Sequence, residues 1–306
     1  MQFLYWLEGL RTPFMNTVMG LLTEFGAEAA FLLIALATFW CLDKKRGYYI
    51  LSVGFFGTIL NQFLKLAFQI PRPWVRDPNF SIVESARAGA TGYSFPSGHT
   101  QNAVGTYGAI AVTTKKKWIR VLSIALCILV PFSRMYLGVH TPQDVLTAAG
   151  TAIVLLFLLR LGVYSDKKSV FPILLGAMLF LSAGFVAFVE FYSFDKNMDL
   201  ANLAEGVKNA YTLLGALLGM LLVYWADTSI FHFPIYAVWW AQIIKLILGF
   251  ILVMAVRITL KAPLAALCGG HSIASGIRYF LVVLTAGLLW PLTFSWFSKL
   301  GQKKES

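Results

Sequence analysis

The sequence predicts an all-α fold, a polytopic membrane helical bundle with a core over residues 1–165 and about four additional transmembrane helices over residues 166–306. Composition, long apolar runs and short basic loops carry that reading. Of 306 residues, 58% are hydrophobic and 15% aromatic, and mean hydropathy is +0.72. Soluble domains are about 45–50% apolar, so the bilayer is the natural solvent for this chain.

The elements follow in order. Phe3, Leu4, Trp6, Leu7 and Leu10 have helical spacing, so a short helix is expected there, lying in the interface. A spanning helix needs about 20 apolar residues. Nine runs qualify, near residues 20–42, 48–70, 99–114, 118–136, 142–162, 170–192, 209–226, 235–257 and 277–297, the third being the shortest. Basic loops stay cytoplasmic. Lys44 to Arg46, Lys115 to Arg120, Lys167 and Lys168, and the tail with Lys299, Lys303 and Lys304 therefore mark the inside, and the N-terminus falls outside. Asp195, Asp199 and Glu205 fall in an outside loop. Arg257, Lys261 and Arg278 also come out on the outside, against the rule, and the loop from Asp227 to Phe233 carries no basic residue.

Net charge is +11, most of it in the inside loops and in the polar clusters described next, so no nucleic-acid partner is expected. No removable signal peptide is read at the N-terminus. Cys41, Cys127 and Cys268 are isolated and read as packing residues, with no metal-site spacing. Residues 61–66 and 241–246 echo each other as Asn/Ala-Gln-x-x-Lys-Leu, and Gly269-Gly270-His271 follows the second copy, which lacks the remaining chemistry.

Three clusters put polar side chains where a bilayer discourages them: Lys65 to Pro73, Pro96 to His99, and Ser133 to Asp144. The predicted topology brings all three to outside ends of spans. A phosphoryl group in transfer needs positioning and positive charge. Lys65, Arg72 and Arg134 can supply that charge, the arginines as planar forks. Pro71 and Pro73 hold Arg72 in extended backbone. Ser97, Gly98 and His99 open a helix whose N-H groups can face an anion. A neutral His140 can attack phosphorus, His99 can protonate the leaving oxygen, and Asp144 can orient His140. Plainer readings stand beside these. Lys65 alone could snorkel to the interface. Thr141-Pro142-Gln143-Asp144 has the form of a helix cap, and Asp144 can serve as cap and orienting acid together. Glu24, Glu28 and Glu190 read as interface or helix-pairing acids, and Arg76 and Arg87 as solvated loop charge.

Lys65 followed after six residues by Arg72-Pro73, then Pro96-Ser97-Gly98-His99, then Ser133-Arg134 with five residues before His140 and three more before Asp144, resembles the full signature of the type 2 phosphatidic acid phosphatase (PAP2) superfamily. The resemblance covers residues 20–162. It implies a PAP2-type helical core, a phosphohistidine at His140, acid-base help from His99 and turnover with neither metal nor cofactor. The expected activity is hydrolysis of a lipid phosphomonoester or diphosphate at the outer face of a bacterial plasma membrane, with a membrane lipid as substrate. A sugar-phosphate phosphatase of the glucose-6-phosphatase type is the alternative enzyme. A phosphate or lipid transporter without turnover is the non-enzyme alternative; binding alone needs cations but not two histidines.

Overall fold

The computed structural model describes residues 1–167, 169–194 and 198–301, and every regular element among them is helical. Lys168, Asp195, Lys303 and Lys304, read above for loop charge, lie outside these residues. Seven of the described helices are long and apolar enough to cross a bilayer, and one bent pair raises the count to eight. The expected nine spans are thus corrected at two places.

The first correction concerns the run at 20–42. It is not one helix but the end of α2 (Pro13–Glu24) and all of α3 (Glu28–Ala37, continued by a π turn at Thr38–Leu42), bent by 46° between them. Helix breaks strand carbonyls, which need partners in a bilayer. The Phe25 carbonyl accepts from Tyr107 Oη at 3.0 Å and the Gly26 carbonyl from Asn102 Nδ2 at 3.3 Å. Gly26 is required here, since a Cβ would come within 2.8 Å of the His99 carbonyl oxygen and 2.7 Å of Val130.

The second concerns α6 (Gly98–Thr113), which has 16 residues. At 1.5 Å per residue it reaches about 24 Å, short of an apolar core of about 30 Å. Thr100, Gln101 and Thr106 on it are nevertheless buried. α7 (Lys117–Tyr136) packs along α6, and away from α7 Gln101 accepts from Thr151 Oγ1 at 2.9 Å and lies against Gly57.

The chain divides into two compact units. The first comprises residues 1–32, 49–161 and 193–206. It holds α1 (Gln2–Gly9), α2, most of α4 (Lys44–Phe68), the short α5 (Pro73–Arg76), α6, α7 and most of α8 (Pro142–Val163). Helix α1 exists as its spacing predicts. Leu4 and Leu7 are fully buried in a cluster with Phe80, Tyr136, Leu137 and Val139. Each such side chain contributes about 1.5–3 kcal/mol by burial. Phe3, Trp6 and Leu10 stay exposed on the remaining surface.

The second unit comprises residues 33–48, 162–192 and 207–306. It contains α9 (Val170–Phe191), most of α10 (Leu200–Ala226), α11 (Trp239–Thr259), α12 (Lys261–Leu267), α13 (Ile273–Leu284) and α14 (Phe294–Lys299). Small residues let α10 and α13 touch through backbone, as a Cβ on Gly215 would meet the Gly276 carbonyl at 1.9 Å. Asp227, in the loop without basic residues, pairs with Lys44 at 2.5 Å, which sets that loop at the level of the Lys44 to Arg46 turn. At the opposite end of α10, Tyr211 donates to Glu190 at 3.0 Å, and its ring meets His271 edge-on at 5.4 Å. The sequence echo therefore does not rebuild a site. Lys245 donates to the Ile235 carbonyl near the start of α11, whereas His271 lies after that helix, beside Tyr211.

Candidate active site

Every expected site residue falls in the first unit, delivered by α4, the 69–97 connection, α6, α7 and the α7–α8 turn. The spacing from Arg134 to Asp144 has a local cause. α7 ends in a Schellman turn, with Val139 N-H donating to the Arg134 carbonyl at 3.1 Å and Gly138 N-H to that of Met135 at 3.0 Å. Gly138 takes φ +82, and a Cβ there would stand 2.6 Å from Arg11 Nη2. The chain then reverses within two residues into α8. Thr141 caps α8 reciprocally with Asp144: Asp144 N-H donates to Thr141 Oγ1 at 3.3 Å, and Thr141 N-H donates to Asp144 Oδ2 at 2.8 Å. His140 is held between these two caps.

Its imidazole is 2% exposed. Arg72 Nη1 lies 3.0 Å from His140 Nε2, and Asp144 Oδ2 lies 3.5 Å from Nδ1. A guanidinium only donates, so Nε2 carries the lone pair and the proton sits on Nδ1, facing Asp144. Burial, followed by the charges of Arg72, Arg134, Lys65 and His99, pushes the His140 imidazole well below its usual range and keeps it neutral. Neutral, with its lone pair on Nε2, it has the form a nucleophile needs. At 3.5 Å, Asp144 is within ion-pair reach but beyond a normal hydrogen bond.

The cations differ in what holds them. Arg72 is a hub: Nε donates to Gly92 O at 3.0 Å, Nη1 also to Val139 O at 3.0 Å, and Nη2 to Thr91 O at 2.5 Å. Lys65, buried near the end of α4, donates to the Tyr93 carbonyl. Arg134 is 1% exposed and donates through Nη1 to Thr23 Oγ1 at 2.8 Å, while its Nε and Nη2 are buried without a protein partner. Buried guanidinium donors left in this way suit an anionic ligand.

Ser97 is the N-cap of α6, its Oγ accepting from Thr100 N at 3.4 Å and from Thr100 Oγ1 at 3.0 Å. Its own N-H donates to the Asp144 carbonyl at 3.1 Å, so that donor, expected to face an anion, is taken up within the protein. His99 is half-buried, on the first turn of α6. Among the described residues no group of three or more His, Cys, Asp and Glu is arranged to hold a metal.

Sequence reasoning missed several supporting residues. Ser94 Oγ donates to Asp144 Oδ2 at 2.6 Å, so Asp144 accepts from Ser94 and Thr141 on the oxygen nearest His140. Thr23 anchors Arg134, and Arg11 donates to the carbonyls of Tyr136 and Ser81, tying α1 to the end of α7. Asn61, one turn before Lys65, is buried with neither amide atom partnered, and its Oδ1 would lie 3.9 Å from a Cβ on Gly98. Only Asn61 carried a signal, as a polar residue inside an apolar run; Arg11 and the hydroxyls sit in unremarkable sequence. Arg87 pairs with Glu84 at 2.7 Å on the exposed loop, as a solvated charge does.

Residues 46–168 match the family model of the PAP2 superfamily, and residues 211–303 match that of the PAP2 superfamily phosphatase transmembrane extension. The chain is similar to phosphatidylglycerophosphatase B of Bacillus subtilis, with 32% identity over 170 residues, 49% of this chain and 76% of the relative. It is similar to undecaprenyl-diphosphatase BcrC of the same organism, with 30% identity over 148 residues, 47% of this chain and 72% of the relative. An undecaprenyl-diphosphatase of Sulfolobus acidocaldarius is 29% identical over 134 residues, 43% of this chain and 63% of that one. No solved structure matches the chain. With the signature residues gathered around one buried histidine and a relative aligned over three quarters of its length, this multi-pass membrane protein belongs to the PAP2 superfamily.

Proposed function

We propose that this chain is an integral-membrane lipid phosphatase that hydrolyses a phosphomonoester or diphosphate through a phosphohistidine at His140, at the extracytoplasmic face of a bacterial plasma membrane. The observation that carries it is the pairing of a neutral His140, lone pair on Nε2, with a guanidinium 3.0 Å away and buried donors of Arg134 left over. The relatives named above for lipid phosphatase activities support the substrate class.

In the first step Nε2 of His140 attacks phosphorus and the P-O bond to the leaving group breaks. Burial and the charges of Arg134, Arg72 and Lys65 lower the His99 imidazole to about 3, so the proton it gives to the departing oxygen is one it takes up together with the phosphate anion that offsets those charges. Arg72 exchanges its His140 contact for phosphate oxygens, joined by Lys65, Arg134 and the N-H groups of Gly98 and His99. Asp144 stabilises the positive charge that grows on the imidazole. In the second step water attacks phosphorus, its proton passes to His99, the N-P bond breaks, and inorganic phosphate leaves. The cations and the helix start do the electrostatic work, so the proposed turnover needs no metal.

The test is inorganic phosphate release by the purified protein in detergent with EDTA, from phosphatidic acid, phosphatidylglycerol phosphate, undecaprenyl diphosphate and glucose 6-phosphate. Release from a lipid that His140→Ala abolishes supports the reading. Release from glucose 6-phosphate alone, or equal release by the variant, overturns it.

A further inference from the structure

Cations gather at the end of the second unit opposite Asp227. α11 runs from beside the Ile235 carbonyl to Thr259, so Arg257 lies at the end where Tyr211 meets His271. Lys261 follows one turn later, at the start of α12, and Arg278 stands on the second turn of α13. The Arg257 and Arg278 guanidiniums lie 5.7 and 5.3 Å from the centroid of the same ring, that of Tyr279. Residues 228–304 contain no Asp or Glu. Among the described residues none of these cations reaches a carboxylate within ion-pair distance, and Glu190, an acid at this end of the unit, accepts from Tyr211.

Arg278 is the residue that most needs a partner. It interrupts the buried stripe of Ala274, Val282 and Ala286, whose members are small or apolar. Arg278 is 8% exposed, and its Nε is enclosed with no hydrogen-bond partner. A buried charge without a counter-ion is strongly disfavoured, and a tyrosine ring offers only its π face. A guanidinium only donates, and a phosphate presents paired oxygens that fit its fork. The surroundings select what carries that phosphate. No residue of α12 is buried, and Ile258 and Ile277, the chain neighbours of Arg257 and Arg278, are exposed, as are Leu267 and Ile273. Exposed aliphatic surface next to cations suits an amphipathic ligand, with acyl chains on the one and an anionic head group on the other.

We propose that Arg278, Arg257 and Lys261 bind the phosphate of a bilayer lipid, and that this lipid supplies the acceptor the buried guanidinium lacks. Arg278 holds the phosphate oxygens as a fork. The half-buried Arg257 and the exposed Lys261 add charge from the rim, and the acyl chains lie on α12 and the exposed isoleucines. All three cations belong to the segment that matches the transmembrane extension and none to the segment that matches the PAP2 model. The lipid is bound and not turned over, so a phosphodiester suffices and no bond is made or broken. The inference goes beyond the phosphatase reading and does not depend on it.

The experiment titrates the full chain in detergent with phosphatidylglycerol, a phosphodiester, and reads retained lipid by native mass spectrometry and the thermal midpoint by tryptophan fluorescence. Diacylglycerol, which has chains without phosphate, and inorganic phosphate, which has no chains, form parallel arms. The wild type is expected to retain phosphatidylglycerol and to gain in midpoint, with little response in the other two arms. Arg278→Gln should weaken retention about thirtyfold or more, as the loss of one member of a buried charge pair predicts. Should Arg278→Gln fail to fold, Arg257→Gln and Lys261→Gln, both at the rim, should each weaken it about fivefold. His140→Ala should retain the lipid as the wild type does. Retention lost in His140→Ala but kept in Arg278→Gln would put the lipid at the phosphatase site and overturn the proposal. An equal midpoint gain from inorganic phosphate, removed by Arg278→Gln, overturns the lipid as the source of the anion. A change from dimer to monomer in Arg278→Gln with lipid retention intact overturns the site, since a carboxylate of a second copy would then pair Arg278.

Discussion

Arg72 Nη1 stands 3.0 Å from His140 Nε2, and the same nitrogen donates to the Val139 carbonyl at 3.0 Å. One guanidinium thus fixes the tautomer of the buried imidazole and ties the α7–α8 turn to the 91–93 backbone. Lysine has neither the fork nor the reach to meet those acceptors at once. Arg72→Lys is therefore expected to lower kcat/KM by at least about a hundredfold, since the lost donors face developing charge. Steady-state phosphate release checks this, and near-wild-type activity would remove Arg72 from the site.

Asp144 is both helix cap and the acid nearest His140. Asparagine caps helices well but carries no charge. Asp144→Asn should reduce kcat by about a hundredfold or more, the scale of assisted proton and charge handling, while moving the thermal midpoint little. Rates and melting curves on the same preparation separate the two roles; a large loss of stability with normal kcat would leave only the cap.

Ser94 supplies one of the hydrogen bonds that Asp144 Oδ2 accepts, across 50 positions of sequence. Ser94→Ala should slow turnover by about tenfold, as expected when an orienting group loses its own support. Ser94→Thr, which keeps the hydroxyl, should recover part of the rate in the same assay.

Gly138 closes α7 at φ +82, with Arg11 Nη2 where a Cβ would go. Gly138→Ala combines an unfavourable backbone region with a displaced arginine, so a loss of about 1–3 kcal/mol is expected. The readout is the midpoint of thermal inactivation in detergent; an unchanged midpoint would show that Arg11 and the turn relax freely.

Because the folded protein holds His140 well below its ordinary value of 6.5, the unfolded chain takes up a proton near that pH which the native state does not. Stability should therefore fall as the pH drops from about 7.5 to about 5.5, and rise with pH over the same window. His140→Gln removes this contribution, so its inactivation midpoint should vary less steeply with pH; equal slopes in both proteins would contradict the burial of a neutral imidazole.

The sequence by itself determined what depends on near neighbours. Apolar runs marked the membrane helices because hydropathy sums over consecutive residues, and the four spans after residue 166 stand where those runs lie. The turn from Arg134 to Asp144 was equally legible, since Gly138, Thr141 and Pro142 encode it within a few residues. Only the tertiary structure decided the break at Gly26, the burial that lets a 16-residue α6 serve as a core helix, and the partners Ser94 and Thr23. Those partners lie on elements far apart in the chain, and their contacts follow from how helices pack and where glycines let backbones approach, which no local periodicity records.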